Sequence, residues 1–459
     1  MTSAEVVIAG AGIAGIAAAH RLAVELGIGP IVIADNQPPM TVTSDKSTEC
    51  YRNFWPGPDG AMVALMNRSI DRLEALAAAS GNRFRMNRRG YLYVTGDPAR
   101  IPMLRAAATQ AAAQGAGTLR ETGYVSNAEV AGGDENPATI AFDRFPAGAD
   151  LVTDPAILRR HFPALSDEVT AALHVRRAGW FSGQELGMQL LQAAVERGVR
   201  IEPARVTAIE RDMRGLTAVV LGNGARIATR RLVIATGPWL RSAAKELGGA
   251  ELPIFSELHT KVAFHDHLRV VPRDAPLLIW TDPQRLAWSA DERAMLAEES
   301  GTRALLGELP PGAHTRPEGG GGSDVALMLW AYDTHPVPER WPPDFDPIFP
   351  DVVLRGLTRM LPGLAAYIGH APQPIVDGGY YTKTPENRPL IGPLPLPGAF
   401  VIGAFSGYGL MVASAAAELL AAHVTGGALP DYAPAFLPDR YADPAYARRF
   451  ADVGDAGQL

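Results

Sequence analysis

The stretch from Glu5 to Asp35, EVVIAGAGIAGIAAAHRLAVELGIGPIVIAD, leaves this chain few folds to choose from. Glu5 to Ala9 is a short apolar run that stops at Gly10, as a buried parallel strand does. Gly10, Gly12 and Gly15 follow in a G-x-G-x-x-G spacing, and Ile16 to Leu26 continues with helical periodicity. A second apolar run, Ile31 to Ala34, ends at Asp35. Each piece has a mechanical purpose. Gly10 makes the tight turn, Gly12 lets the backbone approach a pyrophosphate, and Gly15 lets the helix lie close on the strand. The helix start offers free N–H groups and a positive dipole end to phosphate. Asp35, at the tip of the second strand, is placed to accept ribose hydroxyls. The glycines alone would say little. Strand, glycines, helix, strand and terminal acid within about 35 residues specify a dinucleotide-binding βαβ unit.

Composition enters as a set of exclusions. A chain of 459 residues holds two or three domain-sized units. Its net charge of −7 argues against a nucleic-acid or anionic-membrane partner. The single cysteine, Cys50, excludes a disulfide framework, fits a reducing cytoplasm, and rules out the paired redox cysteines of disulfide reductases. No apolar run reaches the roughly 18 residues of a membrane span, and the N-terminal run lacks the basic flank of a signal peptide. Lysine is scarce beside arginine: Lys46, Lys245, Lys261 and Lys383 only. A lysine in such a chain is a candidate for work that needs a compact charge of adjustable pKa.

Further along, Pro38 to Gly60 reads as a polar loop. Helices are expected at Ala61–Ser80, Pro98–Gln114, Asp154–Phe162, Gly183–Gly198, Asp351–Met360 and Gly407–Thr425. Gly115 to Asp150, with Gly132-Gly133, reads as a loop-rich surface insertion. Val206–Arg211 and Thr217–Leu221 alternate as strands, with Asn223-Gly224 turning into Arg226–Ile227. Gly90–Thr95, Arg231–Gly237, Pro374–Thr382 and Phe400–Gly403 are further strands. Pro253–Phe264, Leu277–Thr281, Arg285–Ser289 and Val325–Tyr332 suggest a separate antiparallel sheet, with Gly319–Ser323 as a flexible excursion. No internal repeat is present.

With these motifs in order, the chain resembles the D-amino-acid-oxidase-like (DAO) flavoprotein superfamily, of the glycine oxidase and monomeric sarcosine oxidase type. The resemblance rests on four passages: the opening βαβ unit, Ala178-Gly179-Trp180 followed by RLVIATGPWL (Arg231 to Leu240), YYTKTPENRPLIGP (Tyr380 to Pro393), and FVIGAFSGYGLMVA (Phe400 to Ala413). It implies an α/β (α+β) fold: an FAD-binding Rossmann-type domain with an inserted, mostly antiparallel β-sheet substrate domain. The division it suggests is 1–90, 150–250 and 370–440 for FAD, 91–149 and 251–369 for substrate, and 441–459 as a C-terminal tail. The cofactor implied is FAD. Its contacts fall on Gly10, Gly12, Ala14, Gly15, Asp35, Asn36, Ser44, Lys46, Ser47, Thr48, Val206, Thr236, Gly237 and Trp239. At the late turn they fall on Gly403, Phe405, Ser406, Gly407, Tyr408, Gly409 and Leu410. That turn opens a helix whose N–H groups can stabilise negative charge on a reduced flavin. Gly403-Ala404 stands where aromatic hydroxylases and flavin monoamine oxidases carry Gly-Asp, which discounts a hydroxylase or halogenase.

The chain also departs from the family. Gly379 occupies the place of the cysteine that links FAD in sarcosine oxidases, so non-covalent FAD is expected. Cys50, in the loop that the family lays along the flavin, could form a thioether or be an idle thiol. Met411 aligns with the family's carboxylate-binding lysine, so that clamp is broken.

For the chemistry, the segment SELHTKVAF (Ser256 to Phe264) puts Glu257, His259 and Lys261 on one strand face. Such a face could accept a proton, hold a cationic substrate, or hold the cation that helps O2 take electrons; it could equally face solvent. The expected catalytic residues are His259, Lys261 and Tyr381. Arg52, Glu257, Tyr380, Lys383 and Met411 are the expected substrate contacts. Trp280, Trp288 and Trp330 can roof a pocket or pack in a core. His265 and His267 lack carboxylates at ligand spacing, and no metal site is read. The expected reaction is hydride transfer from the carbon beside a primary or secondary amine to the flavin, with imine hydrolysis after it and O2 or a carrier as acceptor. A non-catalytic FAD-binding assembly protein and an NAD-dependent dehydrogenase remain as alternatives.

Overall fold

The computed structural model describes residues 2–131, 141–320 and 322–450. Gly132-Gly133, Gly321 and residues 451–459 of the tail lie outside the described residues. Six strands form one sheet in the order Arg200–Glu202, Ile31–Ala34, Val6–Ala9, Leu232–Ile234, Ala399–Gly403 and Leu390–Pro393. All neighbours are parallel except the last pair. The opening strand is unbroken apolar sequence because both of its faces are covered. Val6 and Ile8 pack with the helices Ile13–His20, Ala61–Ala79 and Gly409–Thr425. Val7 and Ala9 pack on the opposite side, with Leu240, Ala244 and Leu247 of the helix Leu240–Gly248 and with a four-stranded sheet that contains Val206–Asp212, Gly215–Leu221 and Arg226–Ala228.

The second large sheet has nine strands, in the order Ile375–Lys383, Phe255–His265, Val325–Leu329, His314–Pro317, Leu277–Trp280, Tyr91–Thr95, Ala171–Val175, Ala149–Val152 and Leu119–Arg120. It is mostly antiparallel, with parallel pairing only where Leu277–Trp280 meets Tyr91–Thr95 and where Leu119–Arg120 meets Ala149–Val152. Its outer face packs on the helix Phe349–Thr358 around Trp280, Trp288 and Trp330. Three of its strands, 149–152, 171–175 and 375–383, hydrogen-bond here although their residue numbers fall mostly in ranges expected for the FAD-binding part.

One local expectation differs, and one strand has no counterpart among the expected elements. Arg285–Ser289 is not a strand; Gln284 makes one isolated bridge to Leu309, and Ser289 then starts the helix Ala290–Glu298. The reason is a capping box: the Ser289 hydroxyl accepts from the Glu292 N–H while the Glu292 carboxylate accepts from the Ser289 N–H. The strand His314–Pro317 carries no apolar alternation. Long-range pairing makes it a strand: it is held on one side by Val325–Leu329 and on the other by Leu277–Trp280.

Candidate active site

The two glycine-bearing turns, some 390 residues apart in the chain, meet at one cavity of about 660 Å³, within the roughly 300–1,000 Å³ typical of small-molecule pockets. Gly10 has φ +115°, and a Cβ there would lie 2.3 Å from the Ala235 carbonyl oxygen. A Cβ on Gly15 would lie 2.0 Å from the Gly10 carbonyl oxygen, so helix and strand touch as only glycine permits. Asp35 already accepts the N–H groups of Ala11 at 2.7 Å and Gln37 at 2.9 Å, which fixes its carboxylate at the strand tip. Ser44 sits over the turn and accepts the Ile13 N–H at 2.9 Å.

From the other end comes the strand Ala399–Gly403, followed by Ala404 at φ +56°, Ser406 at φ +44° and Gly407 at φ +80°. Two of these three left-handed residues are not glycine, and such strain persists where surrounding structure dictates it. The turn then opens the helix Gly409–Thr425, which has no side-chain cap. A Cβ on Gly409 would sit 3.7 Å from Ile13 Cγ2, so the two helix starts stand side by side. The cavity between them fits FAD. Backbone and small residues of both turns line it beside Trp239, Tyr380 and Phe405, two helix N-termini open onto it, and the Thr236 hydroxyl on its wall is buried without a hydrogen-bond partner among the described residues. Every residue expected to contact FAD lines it except Gly15, Lys46, Thr48 and Tyr408.

A second cavity, of about 250 Å³, lies on the far side of Ser406 and Gly407, the two residues that border both spaces. Its wall holds Arg52, His259, His314, Tyr381 and Met411, with Trp55, Tyr91, Trp330, Tyr332 and Phe349 as apolar surface. Thr48 and Tyr408 face this side. Alternation along Ile375–Lys383 sorts its side chains: Tyr380 and Thr382 line the first cavity, Tyr381 the second. Tyr380, expected at the substrate, thus stands on the cofactor side, where its hydroxyl accepts the Arg340 N–H at 2.8 Å. Tyr381 presses on the shared wall; a Cβ on Gly407 would lie 2.2 Å from its ring. The His259 ring stacks on the Tyr381 ring at 3.8 Å between centroids and 12° between planes.

The charged face of the strand Phe255–His265 is largely turned inward. His259 Nε2 donates to Glu257 Oε2 at 3.2 Å, and Lys383 Nζ donates to the same oxygen at 3.1 Å. Burial pulls the Glu257 carboxyl up, but these two partners outweigh it and leave it below the usual carboxylate value. Glu257 and Lys383, expected to touch substrate, line neither cavity; they support His259 from behind. Lys261 also lines neither. Its Nζ donates to the carbonyls of Asp45 at 3.3 Å and Ser47 at 3.2 Å, and burial lowers its pKa. Lys46 pairs with Asp45 and Asp377; burial works against its charge, yet these carboxylates raise its pKa.

Sequence reasoning passed over two residues. Arg316 is fully buried and donates twice to the Thr48 carbonyl, from Nε at 3.0 Å and Nη2 at 2.7 Å. His314 lines the second cavity. Both sit on the strand that lacks an apolar pattern, so no local signal pointed to them. Of the three tryptophans, Trp330 lines the second cavity, while Trp280 and Trp288 belong to the core. Cys50 is buried, its thiol donates to the Thr48 carbonyl at 3.3 Å, and burial pushes its pKa up, away from a reactive thiolate.

The family model described as DAO, FAD dependent oxidoreductase, matches residues 5–423. Comparison with curated proteins finds no match. Among solved structures, L-proline dehydrogenase from P. horikoshii superposes with a TM-score of 0.73 at 20% identity, covering 96% of this chain and 98% of that one. Glycine oxidase from Geobacillus kaustophilus gives 0.70 at 15%, covering 94% and 96%. Iminodiacetate oxidase from Chelativorans sp. BNC1 gives 0.67 at 18%, covering 93% and 97%. At these identities the likeness is one of fold.

Proposed function

This chain belongs to the DAO family of FAD-dependent oxidoreductases, and within it we propose that it oxidises a primary or secondary amine of the amino acid or N-methyl amino acid type. The product is an imine that water hydrolyses to carbonyl and amine. The observation that carries this reading is the second cavity: among the described residues it shares only Ser406 and Gly407 with the FAD cavity, and it holds Arg52 with the buried His259 and His314. Bound FAD supplies the hydride acceptor on one side of that wall.

Arg52 is the proposed carboxylate anchor. It is 5% exposed, its Nε donates to the Phe54 carbonyl at 3.2 Å, and its guanidinium lies 4.4 Å from the Trp55 ring centroid. A guanidinium so held is pre-oriented for a carboxylate. It takes over the role left open by Met411. The substrate carbon then lies toward Tyr381 and the shared wall. His259, oriented by Glu257, is the proposed acceptor of the ammonium proton; the buried carboxylate stabilises the imidazolium that results, and Lys383 balances the carboxylate between turnovers. The aromatic walls exclude water from the reacting carbon. Lys261, held beneath residues 45–47, is the proposed positive charge that favours electron transfer to O2. The proline, glycine and iminodiacetate enzymes that share the fold act, by their names, on amino-acid-like compounds, which supports this class.

The test is a screen under nitrogen. The purified protein is expected to be yellow, and an amino acid should bleach its visible flavin band; admitting air should restore the colour with hydrogen peroxide. Bleaching without reoxidation by O2 would favour a carrier. No bleaching across a broad amine panel would favour a non-catalytic FAD-binding protein. Acid precipitation should leave the flavin in the supernatant. Gly379 is packed under the loop, where a Cβ would lie 3.1 Å from Lys46 Cβ, and has no side chain to bind covalently.

A further inference from the structure

Three histidines line the second cavity; His335 is exposed beside Asp333, and the other two, His259 and His314, are in opposite settings. His259 gives its Nε2 hydrogen to a carboxylate. His314, 6% exposed at the start of the strand His314–Pro317, has only a carbonyl: its Nδ1 lies 2.7 Å from the Gly312 oxygen. A carbonyl can only accept, so Nδ1 carries the hydrogen and Nε2 carries a lone pair. Among the described residues no other hydrogen bond is made by this ring. The direction of its face is set by a neighbour. Arg316, two residues on and so on the same side of the strand, reaches the Thr48 carbonyl, which places this face against segment 48–52 with its Cys50 and Arg52. Burial, aided by the charges of His259 and Arg52, pushes the His314 pKa down to about 4, so the ring stays neutral near pH 7.

We propose that His314 is a substrate-binding residue whose Nε2 accepts an N–H of the substrate nitrogen, opposite the carboxylate anchor Arg52. This rests on the amine-oxidation reading and adds to it how the nitrogen is recognised. Two fixed groups of complementary character, a cation and a neutral acceptor, read the two ends of an α-amino acid. Recognition of this kind requires the ligand to carry both ends. A carboxylic acid without nitrogen meets Arg52 alone and is indifferent to His314.

The experiment uses the FAD-loaded enzyme and the variants His314→Asn and His314→Gln. The asparagine amide can keep the bond to Gly312 but leaves nothing at the Nε2 position. The glutamine can place its amide oxygen there. Glycine, L-proline and iminodiacetate are the nitrogen-bearing probes and acetate the nitrogen-free one, with binding followed by perturbation or bleaching of the flavin spectrum. The expected result is an apparent Kd for the nitrogen-bearing probes that rises about tenfold or more in the asparagine variant. The acetate Kd and flavin content should stay within about twofold, and glutamine should recover most of the loss. Unchanged affinity for all the nitrogen-bearing probes would overturn the assignment. So would a parallel loss of acetate and amine binding, or loss of flavin, in both variants, because that marks a structural role. Failure of every probe to bleach the wild-type enzyme, with amine binding still weakened by the asparagine variant, would instead count against the oxidation reading alone.

Discussion

The two cavities that meet at Ser406 and Gly407 are built from different materials. The first is built around backbone: two glycine turns, two helix starts and an acid at a strand tip are short-range patterns, and side chains such as Trp239, Trp341 and Tyr380 complete its wall. The second is made mostly of side chains drawn from the segment 48–55, from five strands of the nine-stranded sheet, from the segment 330–349 and from the stretch 406–411. A backbone cradle tolerates almost no change at a few positions and ignores most others. A side-chain pocket spreads its energy over many contacts, so each change costs less and shows in specificity before it shows in folding.

The sharpest way to break this contrast is at Gly10. Val in its place puts a Cβ 2.3 Å from the Ala235 oxygen at φ +115° and should yield protein with no flavin or no soluble protein, read from the flavin-to-protein absorbance ratio. Gly27→Ala is the control: its φ is also positive, at +65°, yet nothing lies within 4 Å, and flavin content should be unchanged. Next in size is Arg52→Met, which should keep its flavin and lose roughly a hundredfold in kcat/KM for carboxylated amines; loss confined to flavin content would move Arg52 to the first cavity's account. Glu257→Gln should cost about tenfold in kcat and move the acid limb of the pH profile to lower pH, since the carboxylate that favours a protonated His259 is gone. A profile that stays in place would show that His259 takes no proton.

The smallest effect concerns folding rather than turnover. Burial lowers His174 to about 3 and His314 to about 4. An unfolded chain takes up protons on both near pH 6.5, whereas the folded chain does not until those lower values. The unfolded state therefore binds more protons below pH 6.5, and stability falls as the pH is lowered from there toward 4 and then 3, by an amount on the order of a few kcal/mol. Urea midpoints measured across this range check it. In His314→Asn the part of the decline above pH 4 should shrink, while the part due to His174 remains.

The same contrast explains what could be read in advance. Gly10, Gly12, Asp35, Ser406 and Gly407 were legible because their geometry is dictated by neighbours a few residues away. Glu257, His259 and Lys261 were legible as a charged strand face, but where that face pointed was not. Glu257 and Lys383 turned out to be each other's partners, and Tyr380 and Tyr381 were divided between two cavities by the alternation of one strand. His314 and Arg316 could not be found, because HTRP has no strand pattern of its own and becomes a strand only between two others.

The sequence by itself determined that glycine-bearing strand-to-helix turns would form near both ends of the chain, since turn geometry and helix dipoles are local properties of the residues that make them. Only the tertiary structure decided which side chains share the second cavity and which are buried against one another. That depends on the register of nine strands from distant parts of the chain, and a shift of one residue in any of them would exchange the faces.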